Sequence, residues 1–103
     1  MLFNSTRGGD KDKDFASILM QGLAGDGGLF VPDHWPQVDI DNIKRAKSFI
    51  EIAKEVVPLY TSSSFTKCET IEIVENTWHD FEHQDLVGIQ TIENISVLEL
   101  FHG

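Results

Sequence analysis

Val97-Leu98-Glu99-Leu100-Phe101-His102-Gly103 is an apolar run with one acid inside it, ending on His-Gly. A strand this apolar usually lies inside a sheet, covered on both faces. Just before it, Glu93-Asn94 reads as a turn, and Val87 to Ile92 reads as a strand. Together they predict an antiparallel hairpin, Val87 to Ile92 against Ile95 to Phe101. Natural domains seldom end on such a strand without a loop or cap. The expectation is that these residues are the front part of a longer polypeptide.

Upstream of the hairpin the period changes to that of helices. Ile71, Val74, Trp78 and Phe81 recur at i, i+3, i+7 and i+10, behind a capping box at Thr66-Lys67-Cys68-Glu69. Ser48-Phe49-Ile50-Glu51 repeats the box, and Phe49, Ile52, Ala53, Val56, Leu59 and Tyr60 make one apolar stripe behind it. Pro58 falls inside that stripe, which predicts a kink or an early stop. Thr61-Ser62-Ser63-Ser64 reads as a linker. Ile40 to Ala46 reads as a short helix begun at Asp39.

Nearer the start, Asp14 can cap a helix whose Phe15, Ile18, Leu19 and Leu23 share a face, with Gly22 and Gly25 ending it. Gly25-Asp26-Gly27-Gly28 reads as a tight turn into a short extended piece, Leu29-Phe30-Val31, closed by Pro32. Leu2 to Thr6 reads as a strand, and Arg7 to Lys13 as a polar, flexible loop. The predicted class is α+β: three main helices, a C-terminal antiparallel β-hairpin and short N-terminal extended pieces. Residues 1–103 are read as one domain.

Composition narrows the function. The 103 residues are 41% hydrophobic, so a core is available and disorder over the whole length is not expected. Acids outnumber bases 17 to 8, a formal net charge of -9, and the bases are scattered. Neither nucleic acid nor an anionic membrane surface is an expected partner. Cys68 is the single cysteine, no leader is visible after Met1, and no apolar window approaches a membrane span. A cytoplasmic location is the expectation.

Two blocks of sequence carry a resemblance. Leu98-Glu99-Leu100-Phe101-His102-Gly103 looks like the segment of threonine synthases that runs into Pro-Thr-x-Ala-Phe-Lys-Asp. Ser5-Thr6-Arg7-Gly8, Phe15-Ala16 and Gly22-Leu23-Ala24-Gly25-Asp26-Gly27-Gly28-Leu29-Phe30-Val31-Pro32 are similar to that family's opening. The resemblance implies a pyridoxal-phosphate-dependent lyase of fold type II. Its reaction converts O-phospho-L-homoserine and water to L-threonine and phosphate.

It also implies that the lysine holding the cofactor follows Gly103. Lys11, Lys13, Lys44, Lys47, Lys54 and Lys67 stand in no Ala-Phe-Lys-Asp context. No catalytic residue is therefore expected in this chain, which should be silent alone and bind no cofactor by itself. The cut would fall just before the cofactor-lysine loop and leave a strand edge open to self-association. Two rivals share the visible residues: a stand-alone interaction module binding by strand addition, and a threonine synthase-like phospholyase.

Individual residues have two readings each. Ser5, Thr6 and Arg7 either meet the substrate's phosphate or carboxylate, or form a strand end with a surface arginine. Phe101, His102 and Gly103 either orient the lysine loop beside the cofactor ring, or supply packing and a bend. Gly25 to Gly28 lacks the lysine and hydroxyl of a phosphate loop, so a turn is preferred. His79 and His83 have helical spacing for a metal, with Asp80 or Cys68 imaginable beside them. No acid is placed as in a metalloprotease, and a solvated surface is preferred; no metal site is expected. Cys68 reads as a structural or exposed thiol, and Trp78 and Phe81 as core.

Overall fold

A computed structural model describes residues 1–77 and 88–98. Its elements, in chain order, are β1 (Phe3–Ser5), α1 (Phe15–Gln21), β2 (Phe30–Pro32), α2 (Ile40–Arg45), α3 (Phe49–Thr61), α4 (Lys67–Thr77), β3 (Ile89–Ile92) and β4 (Ile95–Leu98). The α+β class stands. The two N-terminal extended pieces pair with each other, antiparallel, with Phe3 opposite Pro32 and Ser5 opposite Phe30. Pro32 has no N–H to donate and sits at the end of this short pair, where strands tolerate it.

The helices start where the caps predict. The Asp14 carboxylate accepts from Ser17 N at 2.7 Å, and Asp39 accepts from Asp41 N and Asn42 N. At α4 the capping box closes both ways: Glu69 N donates to Thr66 Oγ1 at 3.3 Å and Thr66 N donates to Glu69 Oε2 at 2.8 Å. At α3 Ser48 Oγ accepts from Glu51 N. The glutamate, however, reaches one residue further back, to Lys47 N at 2.6 Å.

Pro58 neither breaks nor ends α3; the helix runs three residues past it to Thr61. Pro58 is buried, and α3 is packed by α1, α2 and α4. Tertiary packing of the stripe outweighs one missing hydrogen bond. Thr61 Oγ1 and Thr70 Oγ1 meet at 2.8 Å, both buried, between α3 and α4. Lys54 of α3 also pairs with Glu75 of α4.

The described core is small. Phe3, Ala24, Ala53, Pro58 and Val74 are its buried apolar side chains. Phe15 bridges β1 and the turn before α4, with its ring 6.2 Å from that of Phe3 and 6.2 Å from that of Phe65. The apolar face of α1 is only half covered: Phe15 and Ile18 are half-buried, whereas Leu19 and Leu23 are 64% and 60% exposed.

The 61–64 linker is more than a connection. Ser63 Oγ accepts from Phe15 N at 3.0 Å and Ser64 Oγ from Ala16 N at 2.9 Å. These satisfy free N–H groups of the first turn of α1. The hairpin stands with Ile89 opposite Leu98 and Ile92 opposite Ile95. Glu93 in its turn takes φ +56°. The outer ends of the predicted strands, Val87 and 99–101, lie outside the described residues, as do Trp78 and Phe81.

Candidate functional site

Ser5 ends β1, and the chain from Arg7 to Lys13 folds back along that strand. Ser5 N donates to Asp10 O at 2.8 Å, and Phe3 and Lys13 exchange backbone hydrogen bonds at 2.8 and 3.0 Å. Asp12 N donates to Asn4 Oδ1. The loop predicted to be flexible is thus tied to its strand.

The residue that organises this corner is Asp26, which the sequence presents only as part of a turn. Its carboxylate accepts from Ser5 Oγ at 2.7 and 2.9 Å, from Gly9 N at 2.7 Å and from Gly28 N at 2.9 Å. Its carbonyl accepts from Arg7 Nη1 at 3.0 Å. Hydrogen bonds from Ser5 and Gly28, working against desolvation and aided by Gly9 and the Arg7 charge, hold the Asp26 carboxyl below the usual carboxylate range.

Close approach requires glycine at two of these points. A Cβ on Gly28 would fall 2.2 Å from Ser5 Oγ, and one on Gly9 would fall 2.6 Å from Asp26 Oδ2. The chain signals that the sequence offered were the glycines themselves. Which acid they make room for is a matter of tertiary contact.

The three predicted anion-binding residues therefore come together but differ in availability. The Ser5 hydroxyl is buried, donates to Asp26 and accepts from Arg7 N at 3.1 Å. Thr6 is exposed and accepts from Leu29 N at 3.0 Å, which leaves its own proton to donate. Arg7 is exposed, and one guanidinium nitrogen is engaged by Asp26 O. The loop N–H groups of Thr6, Arg7, Gly8 and Gly9 all have partners within the protein. An anion here would be met by side chains, not by a backbone nest.

The Gly25 to Gly28 turn is likewise spent internally. Gly27 N donates to Ala24 O, Ala24 N to Gly28 O, and Gly25 N to Asp10 Oδ2 at 2.6 Å. It is the turn the sequence predicts. An open cleft of about 350 Å³ beside α2 and α3 is lined by Asn42, Arg45, Ala46, Glu51, Lys54 and Glu55. Its charges are mixed, and Glu51 and Lys54 are already engaged.

The described residues do not fit a pyridoxal phosphate anchor. No lysine is buried, and Lys54 is ion-paired. A lysine that holds an aldehyde as an imine needs a shielded setting that lets its amine lose a proton. Among the described residues no group of three or more His, Cys, Asp or Glu could hold a metal ion, and no helix is long and apolar enough to cross a membrane. Cys68 is exposed. His79, Asp80, His83, Phe101, His102 and Gly103 lie outside the described residues.

Comparison with known proteins places this architecture. Residues 2–78 match the family described as threonine synthase N terminus. The chain is 39% identical over 103 residues to the threonine synthase of Schizosaccharomyces pombe, covering 96% of this chain and 20% of that protein. It is 34% identical over 107 residues to threonine synthase-like 2 of Xenopus laevis, covering 100% of this chain and 23% of that one. Against the threonine synthase of Pseudomonas aeruginosa it is 33% identical over 106 residues, with 100% and 23% covered.

A crystal structure of threonine synthase from Brucella melitensis, bound to PLP, superposes with a TM-score of 0.75 at 36% identity, over 98% of this chain and 22% of that one. The chain thus spans about a fifth of the length of the relatives it matches. With a knit N-terminal corner and helices that agree in sequence and in shape, the chain belongs to the threonine synthase N-terminus family.

Proposed function

We propose that this chain is the N-terminal part of a pyridoxal-phosphate-dependent threonine synthase, a cytoplasmic lyase of threonine biosynthesis. Its substrate is O-phospho-L-homoserine, which with water gives L-threonine and phosphate. The observation that carries the reading is the superposition on the PLP-bound enzyme over 98% of the chain. In this reading the cofactor lysine follows Gly103, Phe101-His102-Gly103 leads into its loop, and the 103 residues are inactive alone. When bound, the cofactor supplies the electron sink that the reaction needs.

Ser5, Thr6 and Arg7 contribute a contact to an anionic group of the substrate. Arg7 leads, because a guanidinium keeps its charge and its fork matches an oxyanion. Thr6 adds its free hydroxyl proton. Ser5, committed to Asp26, sets the bend that presents them. A second reading is a phospholyase, favoured by the match to threonine synthase-like 2.

Assay of the complete polypeptide with O-phospho-L-homoserine separates these. Threonine and phosphate in equal amounts support the synthase, and phosphate without threonine supports the phospholyase. Pyridoxal phosphate added to the 103 residues alone should give no stoichiometric absorption band that survives desalting; such a band with phosphate release would overturn the silence assigned to them.

The apolar hairpin also gives this chain a tendency to self-associate. Light scattering over a concentration series should show mass rising with concentration. A constant monomer mass counts against it.

A further inference from the structure

Two Gly-Asp pairs face each other across the N-terminal corner. Gly9-Asp10 lies in the loop after β1, and Gly25-Asp26 lies in the turn before β2. Asp26 Oδ2 accepts from Gly9 N at 2.7 Å, and Asp10 Oδ2 accepts from Gly25 N at 2.6 Å. Each acid holds the N–H of the glycine that precedes the other acid. Both are short, charge-assisted bonds from backbone to carboxylate. Gln21 Nε2 supports Asp10 at 3.2 Å, and Ser5 and Gly28 support Asp26.

Arg7 lies two residues before Gly9, beside this clasp. Its N–H is held by Ser5 Oγ, itself bonded to Asp26, and its Nη1 is held by the Asp26 carbonyl. The flanking bonds thus converge on one residue. A long arginine side chain on a surface loop would otherwise sample many rotamers and lose that freedom on meeting an anion. We propose that the reciprocal Asp10–Gly25 and Asp26–Gly9 clasp is the positioning element that presents Arg7 to the substrate's anionic group, with Asp26 as its principal positioning residue. This rests on the reading of Arg7 given above as a substrate contact.

The test is steady-state kinetics of the complete enzyme with O-phospho-L-homoserine, on Arg7→Lys, Asp26→Asn and the double variant. Asparagine keeps the shape of Asp26 but cannot accept from both Gly9 N and Ser5 Oγ with charge. Arg7→Lys should raise KM about tenfold, the scale of one charge-assisted hydrogen bond, with kcat nearly unchanged. Asp26→Asn should raise KM by a similar factor and likewise spare kcat. In the Arg7→Lys background Asp26→Asn should then add little, because the two act on one contact.

If Arg7→Lys leaves KM unchanged, the substrate-contact reading fails and the positioning role falls with it. If Arg7→Lys raises KM but the two effects multiply, or Asp26→Asn lowers kcat and leaves KM alone, Arg7 keeps its role and the clasp loses its own. Should Asp26→Asn fail to fold, Asp10→Asn replaces it under the same criterion, since it opens the other half and leaves Ser5 and Gly28 on Asp26.

Discussion

The corner at residues 3–33 and the hairpin at 89–98 are both pairs of short antiparallel strands, yet they are held in opposite ways. At the corner β1 and β2 are three residues each. What fixes them is polar: Asp26, Asp10, Ser5 and the loop N–H groups, with Phe3 buried beneath. The hairpin has longer strands and almost no cover. Ile89, Ile92, Ile95 and Leu98 are 66%, 64%, 68% and 61% exposed. A lone two-stranded hairpin is marginal in water, and apolar side chains left in water add little to it.

The family match ends at residue 78, before the hairpin begins. The comparison teaches that the corner carries its own polar stabilisation, while the described hairpin buries little apolar surface.

The strongest way to break the corner is Gly28→Ala. The added methyl would displace Ser5 Oγ from 2.2 Å and Asp26 Oδ1 from 3.0 Å. A loss of about 3 kcal/mol is expected, from overpacking with loss of the buried hydrogen bond, read as a fall in the urea midpoint. Next is the hydroxyl pair behind the corner. Thr61→Val leaves Thr70 Oγ1 buried without its partner and should cost about 2 kcal/mol. The double change Thr61→Val with Thr70→Val should recover most of that, and equilibrium unfolding of the three variants checks it.

Acid gives a third, graded test. The Asp26 carboxyl titrates below its unfolded value of 3.8, and that of Asp14, held by Ser17 at the start of α1, does the same. A lowered folded pKa adds stability that is whole above the unfolded value and is lost as pH falls through the folded one. Arg7 is the charged group that acts on Asp26. Protection of the Gly9 amide against exchange, relative to its intrinsic rate, should therefore fall below about pH 4, while protection at Gln90 and Val97 should not follow. Equal loss of protection in both regions would erase the distinction between them.

The smallest effect belongs to the hairpin. Ile92→Thr and Ile95→Thr should each change the stability of this chain by less than about 0.5 kcal/mol, because the side chains are already in water. The same changes in the complete polypeptide should cost about 2 kcal/mol or more if the hairpin is covered there. Equal small losses in both would remove the idea of a waiting partner.

Much of this was legible from residue types alone. Asp14, Asp39, Ser48 and Thr66 mark helix starts because a cap joins residues two or three apart, so it is written in consecutive letters. The β3–β4 register follows in the same way from a turn two residues long. The family blocks at both ends were readable for a similar reason, each being a short contiguous string.

Tertiary structure alone decided the rest. Asp26 reaches Gly9 across 17 residues, and Ser63 reaches Phe15 across 48. Nothing local marks such partners, because either acid or hydroxyl could have faced solvent at the same sequence cost. Pro58 was tolerated, and Leu19 and Leu23 left bare, by where neighbouring elements happened to pack. Local hydrogen bonds repeat with the chain's own period and can be counted off the sequence. Long-range ones exist only after the chain has closed on itself, and here they built the corner around Asp26.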